Sequence, residues 1–161
     1  MNDLMERMAL GALAGLAGTA LLQKVRTQTQ ELLPGATPEI KPEPGAFMVE
    51  QAEELLPGDM AEQVPDSAEH LASKLLAVGY GMTFGALYAA IRPNGGLPLR
   101  DGPLLGVIAW SVGYLGWLPA AGLMKPLTQQ EPEQALTPIA QHVIFGVATV
   151  APYRVVRALT H

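Results

Sequence analysis

The chain has 161 residues, with ten Lys+Arg, fifteen Asp+Glu, no Cys and a formal net charge of −5. That length suits one domain. The lack of Cys excludes disulfides, thiolate metal sites and Cys nucleophiles, and the acid excess argues against a nucleic-acid binder held by phosphate contacts.

The averages conceal a segregation. Ten of the fifteen acids lie between Glu31 and Glu69, and the flanking stretches hold four long uncharged runs. These are Met8–Gln23 (16 residues), Leu75–Ile91 (17), Gly102–Met124 (23) and Gln134–Tyr153 (20). A bilayer core of about 30 Å takes roughly 20 apolar helical residues. The last two runs reach that alone, and Lys24 and Lys74 extend the first two by snorkelling. A helix of a soluble protein should show a charged stripe opposite its core face, and Gly102–Met124 has none. The reading is therefore all-α: one integral membrane four-helix bundle over 1–161, with spans of roughly 8–23, 71–91, 102–124 and 136–154. A long acidic, Pro-rich extramembrane loop, 34–65, joins helices one and two.

Helix one is expected from near Asp3 to Leu33, stopping before the breaker pair Pro34-Gly35. A signal peptide is the alternative for its apolar part, but no small-x-small cleavage site follows. The polar tail Gln23–Glu31 reads as the same helix leaving the membrane. In the loop only Ala46–Leu56 looks helical, with Met48, Ala52, Leu55 and Leu56 on one side. Helix two begins at Asp66, which with Glu69 has capping-box spacing, and runs to Ile91. Helix three is expected after Asp101 as N-cap, with Pro103 in its first turn and a kink or early end near Pro119. Helix four begins near Pro138 or slightly before.

Small residues recur at four-residue spacing: Gly11 and Gly15, Gly81 and Gly85, Gly102 and Gly106, then Ala109 and Gly113, with Gly146 on helix four. In lipid such stripes let helix backbones approach closely. On helix four Ile139, Val143, Val147 and Val150 are expected to face lipid, and Pro138, His142, Gly146 and Thr149 the bundle. The two halves are similar enough to expect a 2+2 arrangement with an approximate two-fold relation.

His142 is the one ionisable side chain deep in a span, and such residues are often functional. Its ring is expected neutral, bonding across helices to Tyr80, Tyr114 or Ser111. With Gln141 beside it, the candidate polar site is His142, Gln141, Tyr114 and Tyr80. Trp110 and Trp117, seven apart, are expected to share a packing face. A metal set built from Asp66, Glu69 and His70, with Glu50, Glu53 and Glu54, lacks the paired Glu-x-x-His pattern of di-iron bundles. No metal or cofactor is expected. No P-loop, dinucleotide fingerprint, HExxH or nucleophile elbow occurs.

The segment Leu118-Pro119-Ala120-Ala121-Gly122-Leu123-Met124-Lys125-Pro126, followed by Gln141-His142-Val143-Ile144-Phe145-Gly146, resembles the YagU-like family of bacterial inner membrane proteins over roughly residues 104–158. The resemblance implies a Pro-x-x-Gly-Leu-x-x-Pro helix end and a His-bearing last helix ending in Arg, here Arg154 and Arg157. It implies inner membrane location and fold more than a mechanism.

With four spans, Arg7, Arg92, Arg100, Arg154 and Arg157 share one side, and Lys24, Arg26 and Lys125 flank the other. The positive-inside bias then puts both termini in the cytoplasm. The expected role is structural or accessory, exerted through helix packing and the acidic loop and not through catalysis. Its partners would be the lipid bilayer and a membrane-protein partner or a second copy, with no nucleic acid. The alternative is a small transport or proton-responsive protein using His142.

Overall fold

The computed structural model describes residues 3–54 and 66–160; at 52, 53, 66, 68–70 and 73 only the backbone is described. Among these residues there is no strand. The elements are α1 (Asp3–Leu32), α2 (Pro44–Glu53), α3 (Asp66–Ile91), α4 (Pro98–Ala120) and α5 (Pro132–Thr160). Four helices are long and apolar enough to cross a membrane: α1, the Lys74–Ile91 part of α3, α4 and α5. The capping-box side chains of Asp66 and Glu69, and the stretch 55–65 of the acidic loop, lie outside what is described.

The helices form two hairpins, α1 with α3 and α4 with α5, joined chiefly through α1 against α5; α3 meets α4 and α5 only slightly. Glycine decides where they cross. A Cβ on Gly11 would fall on the carbonyl oxygen of Gly85, and one on Gly15 on that of Gly81. In the second hairpin a Cβ on Gly106 would fall on the carbonyl oxygen of His142, and one on Gly146 on that of Gly102. Gly85 thus sits between Gly11 and Gly15 as Gly146 sits between Gly102 and Gly106, and Phe84-Gly85 matches Phe145-Gly146. The two crossings use equivalent positions, as the 2+2 reading expects. The relation breaks at the joint between hairpins. Gly18 brings α1 onto Thr149 and Phe145 of α5, whereas α3 and α4 touch through the Tyr80 hydroxyl, which donates to the carbonyl of Ala109 at 2.7 Å.

Gly113 differs from the other glycines expected at packing faces: a Cβ there would meet only the Tyr80 hydroxyl at 3.7 Å and Leu118 at 3.9 Å. It lies at no helix crossing, because α4 changes character in that region. After Trp110 the helix widens into a π-type stretch, Ser111–Trp117, and Gly116 leaves helical backbone at φ −97°, ψ −108°. The cause is Pro119, whose ring excludes the carbonyl four residues back and whose nitrogen cannot donate. The widened turn also separates the tryptophans: Trp110 is buried and Trp117 is 36% exposed, so they do not share a face.

Three helix ends or faces differ from expectation. α4 starts at Pro98 with Leu97 as a cap that makes no side-chain bond. Asp101 is instead buried in the first turn, where it accepts from Arg100 Nε (2.8 Å) and Tyr88 (3.4 Å) and pairs with Arg92 (3.5 Å). α5 starts at Pro132, earlier than the expected start at or slightly before Pro138, because proline also suits the first helical turn; Pro138 lies inside it, fully buried. Val150 is wholly buried and Val147 lies against Gly102, so the β-branched side of α5 faces α4 instead of lipid. Leu136, Ile144 and Val155 are exposed in its place.

The helix end Leu118–Leu123 explains the Pro-x-x-Gly-Leu pattern. Gly122 has φ +74°, its N–H donates to Pro119 O (3.1 Å), and the Leu123 N–H donates to Leu118 O (3.0 Å). This is a Schellman cap, with its usual apolar contact between Leu118 and Leu123. The carbonyl of Leu123 then accepts the Lys41 N–H at 2.9 Å. The segment 33–47 thereby straps across the end of the second hairpin. Ile40 and Phe47 pack on Trp110, Tyr114, Leu118, Leu123 and Met124. Met48, expected on the packing side of α2, is 46% exposed, and Phe47 takes that role.

Candidate functional site

The close approach at Gly106 sets the site, because it presses the α5 backbone at His142 against α4. One turn further along α4, Trp110 and Tyr114 stack at 6.2 Å with an interplanar angle of 20°. Tyr114 meets the His142 ring edge to face, with centroids 5.6 Å apart at 81°. Trp110, Tyr114, Gln141 and His142 are all at most 9% exposed.

The expected bond from His142 across helices is not made. Its Nδ1 is 2.8 Å from the carbonyl of Pro138, four residues back on the same helix. A carbonyl only accepts, so the proton sits on Nδ1 and the lone pair on Nε2. Tyr80 is spent on Ala109 O, and Ser111 donates to Val107 O at 2.8 Å within its own helix. The structure therefore brings His142, Gln141 and Tyr114 together, and places Tyr80 at the α3–α4 contact, packed on Phe84 with centroids 4.8 Å apart.

Two side chains join the site that sequence reasoning had not placed there. The Trp110 indole N–H is buried with no partner among the described residues, as are both the oxygen and nitrogen of the Gln141 amide. The other is Arg26, partly buried on α1, on the stripe that Gly18 sets against α5. Its register was readable: Gly11, Gly15, Gly18 and Thr19 are the buried face of α1, and Arg26 continues that stripe two turns on.

Chemically, the cluster offers, among the described residues, a neutral imidazole with a free lone pair, an unpaired amide and an unpaired indole N–H. It presents a single imidazole and no carboxylate. Among the described residues no group of three His, Asp or Glu is placed to hold a metal. The Asp66, Glu69, His70 and Glu53 side chains lie outside the described set, and Glu54 accepts from Gln51 at 3.4 Å. An open recess of about 390 Å³ lies where the strap meets the α4–α5 connection, lined by Glu39, Lys41, Lys125, Gln130 and Gln134 among others.

No family model, curated protein or solved structure matches the chain.

Proposed function

We propose that the chain is a multi-pass inner membrane protein of the YagU-like kind, with a structural or accessory role and no catalytic centre. The observation that carries this is the distribution of polarity. Beside an apolar core that includes Leu105, Phe145 and Val150, the interior holds Gly, Thr19, Thr149, Gln141 and His142, while Leu13, Leu16, Leu75, Leu87, Leu104, Ile108 and Leu115 point outward. Lipid-facing surfaces favour this inside-out pattern, since exposed apolar area on that scale is not tolerated in water. The Pro119–Pro126 and His142 motifs support the family reading. The basic end, with Arg7, Arg92, Arg100, Arg154 and Arg157, is assigned to the cytoplasm.

The protein should remain in the membrane pellet after alkaline carbonate washing and require detergent for release. Recovery in the soluble fraction would refute the spanning reading. The accessory role is exerted through the lipid-exposed helix faces and the acidic segment, toward a membrane-protein partner or a second copy. Proteins recovered with it in mild detergent should be lost when Glu39, Glu43 and Glu50 are replaced by Gln. Retention of the same set would remove the acidic segment from the reading.

A second reading is a small transport or proton-responsive protein. The observation favouring it is the unpaired Gln141 amide and Trp110 indole N–H in the cluster that holds His142.

A further inference from the structure

The opposite end of the bundle, where α1 begins and α5 ends, carries a charge imbalance. The Arg157 side chain is 5% exposed. Its Nε donates to Pro93 O at 3.0 Å, its Nη2 lies 3.6 Å from Asp3 Oδ1, and its Nη1 is buried with no partner among the described residues. Arg7 is 14% exposed, and its Nε lies 3.3 Å from Asp3 Oδ2 without hydrogen-bond alignment. Two largely buried guanidiniums thus share one carboxylate, and Asp3 itself is 62% exposed. Both separations exceed the roughly 2.7–2.9 Å of a charge-assisted bond.

Arginine does not shed its proton in proteins, so among the described residues the two guanidiniums have only the Asp3 carboxylate between them. The rim of the site is apolar: Leu4, Met5 and Leu159 are 46%, 62% and 81% exposed. An anion surrounded by apolar contacts is the signature of an amphiphile. We propose that Arg7 and Arg157 bind the phosphodiester of an anionic lipid headgroup, with Asp3 as an internal stand-in that the phosphate displaces. The planar guanidinium fork matches phosphate oxygens, and basic pockets between transmembrane helices on the cytoplasmic side are known headgroup sites. The neighbouring Arg92, Arg100 and Arg154 disfavour a choline headgroup, whose quaternary ammonium would approach them. The inference rests on the spanning reading, which puts this end of the bundle at headgroup depth.

The test uses full-length protein in neutral maltoside micelles, titrated with phosphatidylglycerol, with phosphatidylcholine of the same chains, and with inorganic phosphate. Bound molecules are counted by native mass spectrometry. Phosphatidylglycerol should bind in preference to phosphatidylcholine, and inorganic phosphate should not displace it. Arg7→Gln and Arg157→Gln should each weaken phosphatidylglycerol binding about tenfold, the loss of one charge-assisted hydrogen bond. Arg154→Gln, an exposed control, should leave it within about twofold, as for a rim charge of little net worth. Asp3→Asn should tighten binding, and because Asp3 is exposed this variant carries the test if Arg157→Gln fails to accumulate. Unchanged affinity in Arg7→Gln and Asp3→Asn, equal binding of phosphatidylcholine, or displacement by inorganic phosphate would each overturn the proposal. Carbonate extraction separates the two failures: a membrane-retained protein with no lipid preference sinks the headgroup site alone.

Discussion

Gly15 and Gly81 meet backbone to backbone, so that a side chain on Gly15 would fall on the carbonyl oxygen of Gly81. The contact is with main chain, which cannot rotate away. Gly15→Leu should therefore separate α1 from α3 and destabilise the bundle by about 3 kcal/mol or more, the upper end of overpacking costs. Gly79, two residues from Gly81, is exposed, and a Cβ added there would meet nothing within 4 Å. Gly79→Ala should be stabilising by up to about 1 kcal/mol through helix propensity alone. Unfolding of the purified protein against the mole fraction of dodecyl sulfate in mixed micelles would show both signs. Equal midpoints for the two variants would remove the crossing at Gly15.

The cap after α4 makes a second prediction. Gly122 has room for a side chain, with nothing within 4 Å, but its φ of +74° is strained for any L-residue. Gly122→Ala should cost about 1–2 kcal/mol, and Gly122→Asn less, since Asn tolerates this conformation. The same unfolding titration ranks them, and an alanine variant as stable as the parent would contradict the cap geometry.

Topology can be read directly because the chain has no Cys. Glu39 and Asn94 are both exposed, on the strap and on the α3–α4 turn. In intact cells Glu39→Cys should react with a membrane-impermeant maleimide and Asn94→Cys should not. The reverse pattern would invert the assigned orientation while leaving the four helices in place.

The helices themselves were legible because their ends carry signals: α3 runs from Asp66 to Ile91, the start read from the Asp66–Glu69 spacing and the end from Arg92 and the turn that follows. Which face of each helix looks inward was less legible. In a soluble helix polarity reports the outside, but here both faces are apolar and Val150 reads like a lipid-facing residue while being wholly buried. Backbone size was the better guide, and Gly11, Gly15, Gly81, Gly85, Gly106 and Gly146 all proved to be crossing points. The strap was not legible because its anchor is a main-chain bond, Lys41 N–H to Leu123 O, which leaves no pattern in side chains. Of the polar site, His142 and Gln141 stood out by their depth in an uncharged run. Arg26 did not, since its neighbours Gln23, Lys24 and Gln28 disguise it as part of a solvated tail.

His142 separates the two functional readings. Its Nδ1 proton is bound within α5, to Pro138 O, so replacing the ring breaks no interhelical hydrogen bond among the described residues. Even where such bonds exist in membranes they average only about 0.6 kcal/mol. His142→Leu also removes an acceptor nitrogen that has no partner among the described residues and retains apolar contact with Tyr114. The variant should therefore accumulate normally and unfold within about 1 kcal/mol of the parent, the usual bound for a near volume-conserving change. With stability matched, any change in behaviour belongs to the imidazole. If the site responds to protons, protonating Nε2 puts a cation against Tyr114, which stacks on Trp110. Tryptophan emission of the parent should then change between about pH 5 and 8, the range in which histidine acts as a switch, and the change should vanish in His142→Leu. A Trp117→Phe background keeps Trp110 as the sole emitter. A flat parent trace across that range, or an identical trace in His142→Leu, would end the proton-responsive reading and leave His142 as packing for the α4–α5 crossing.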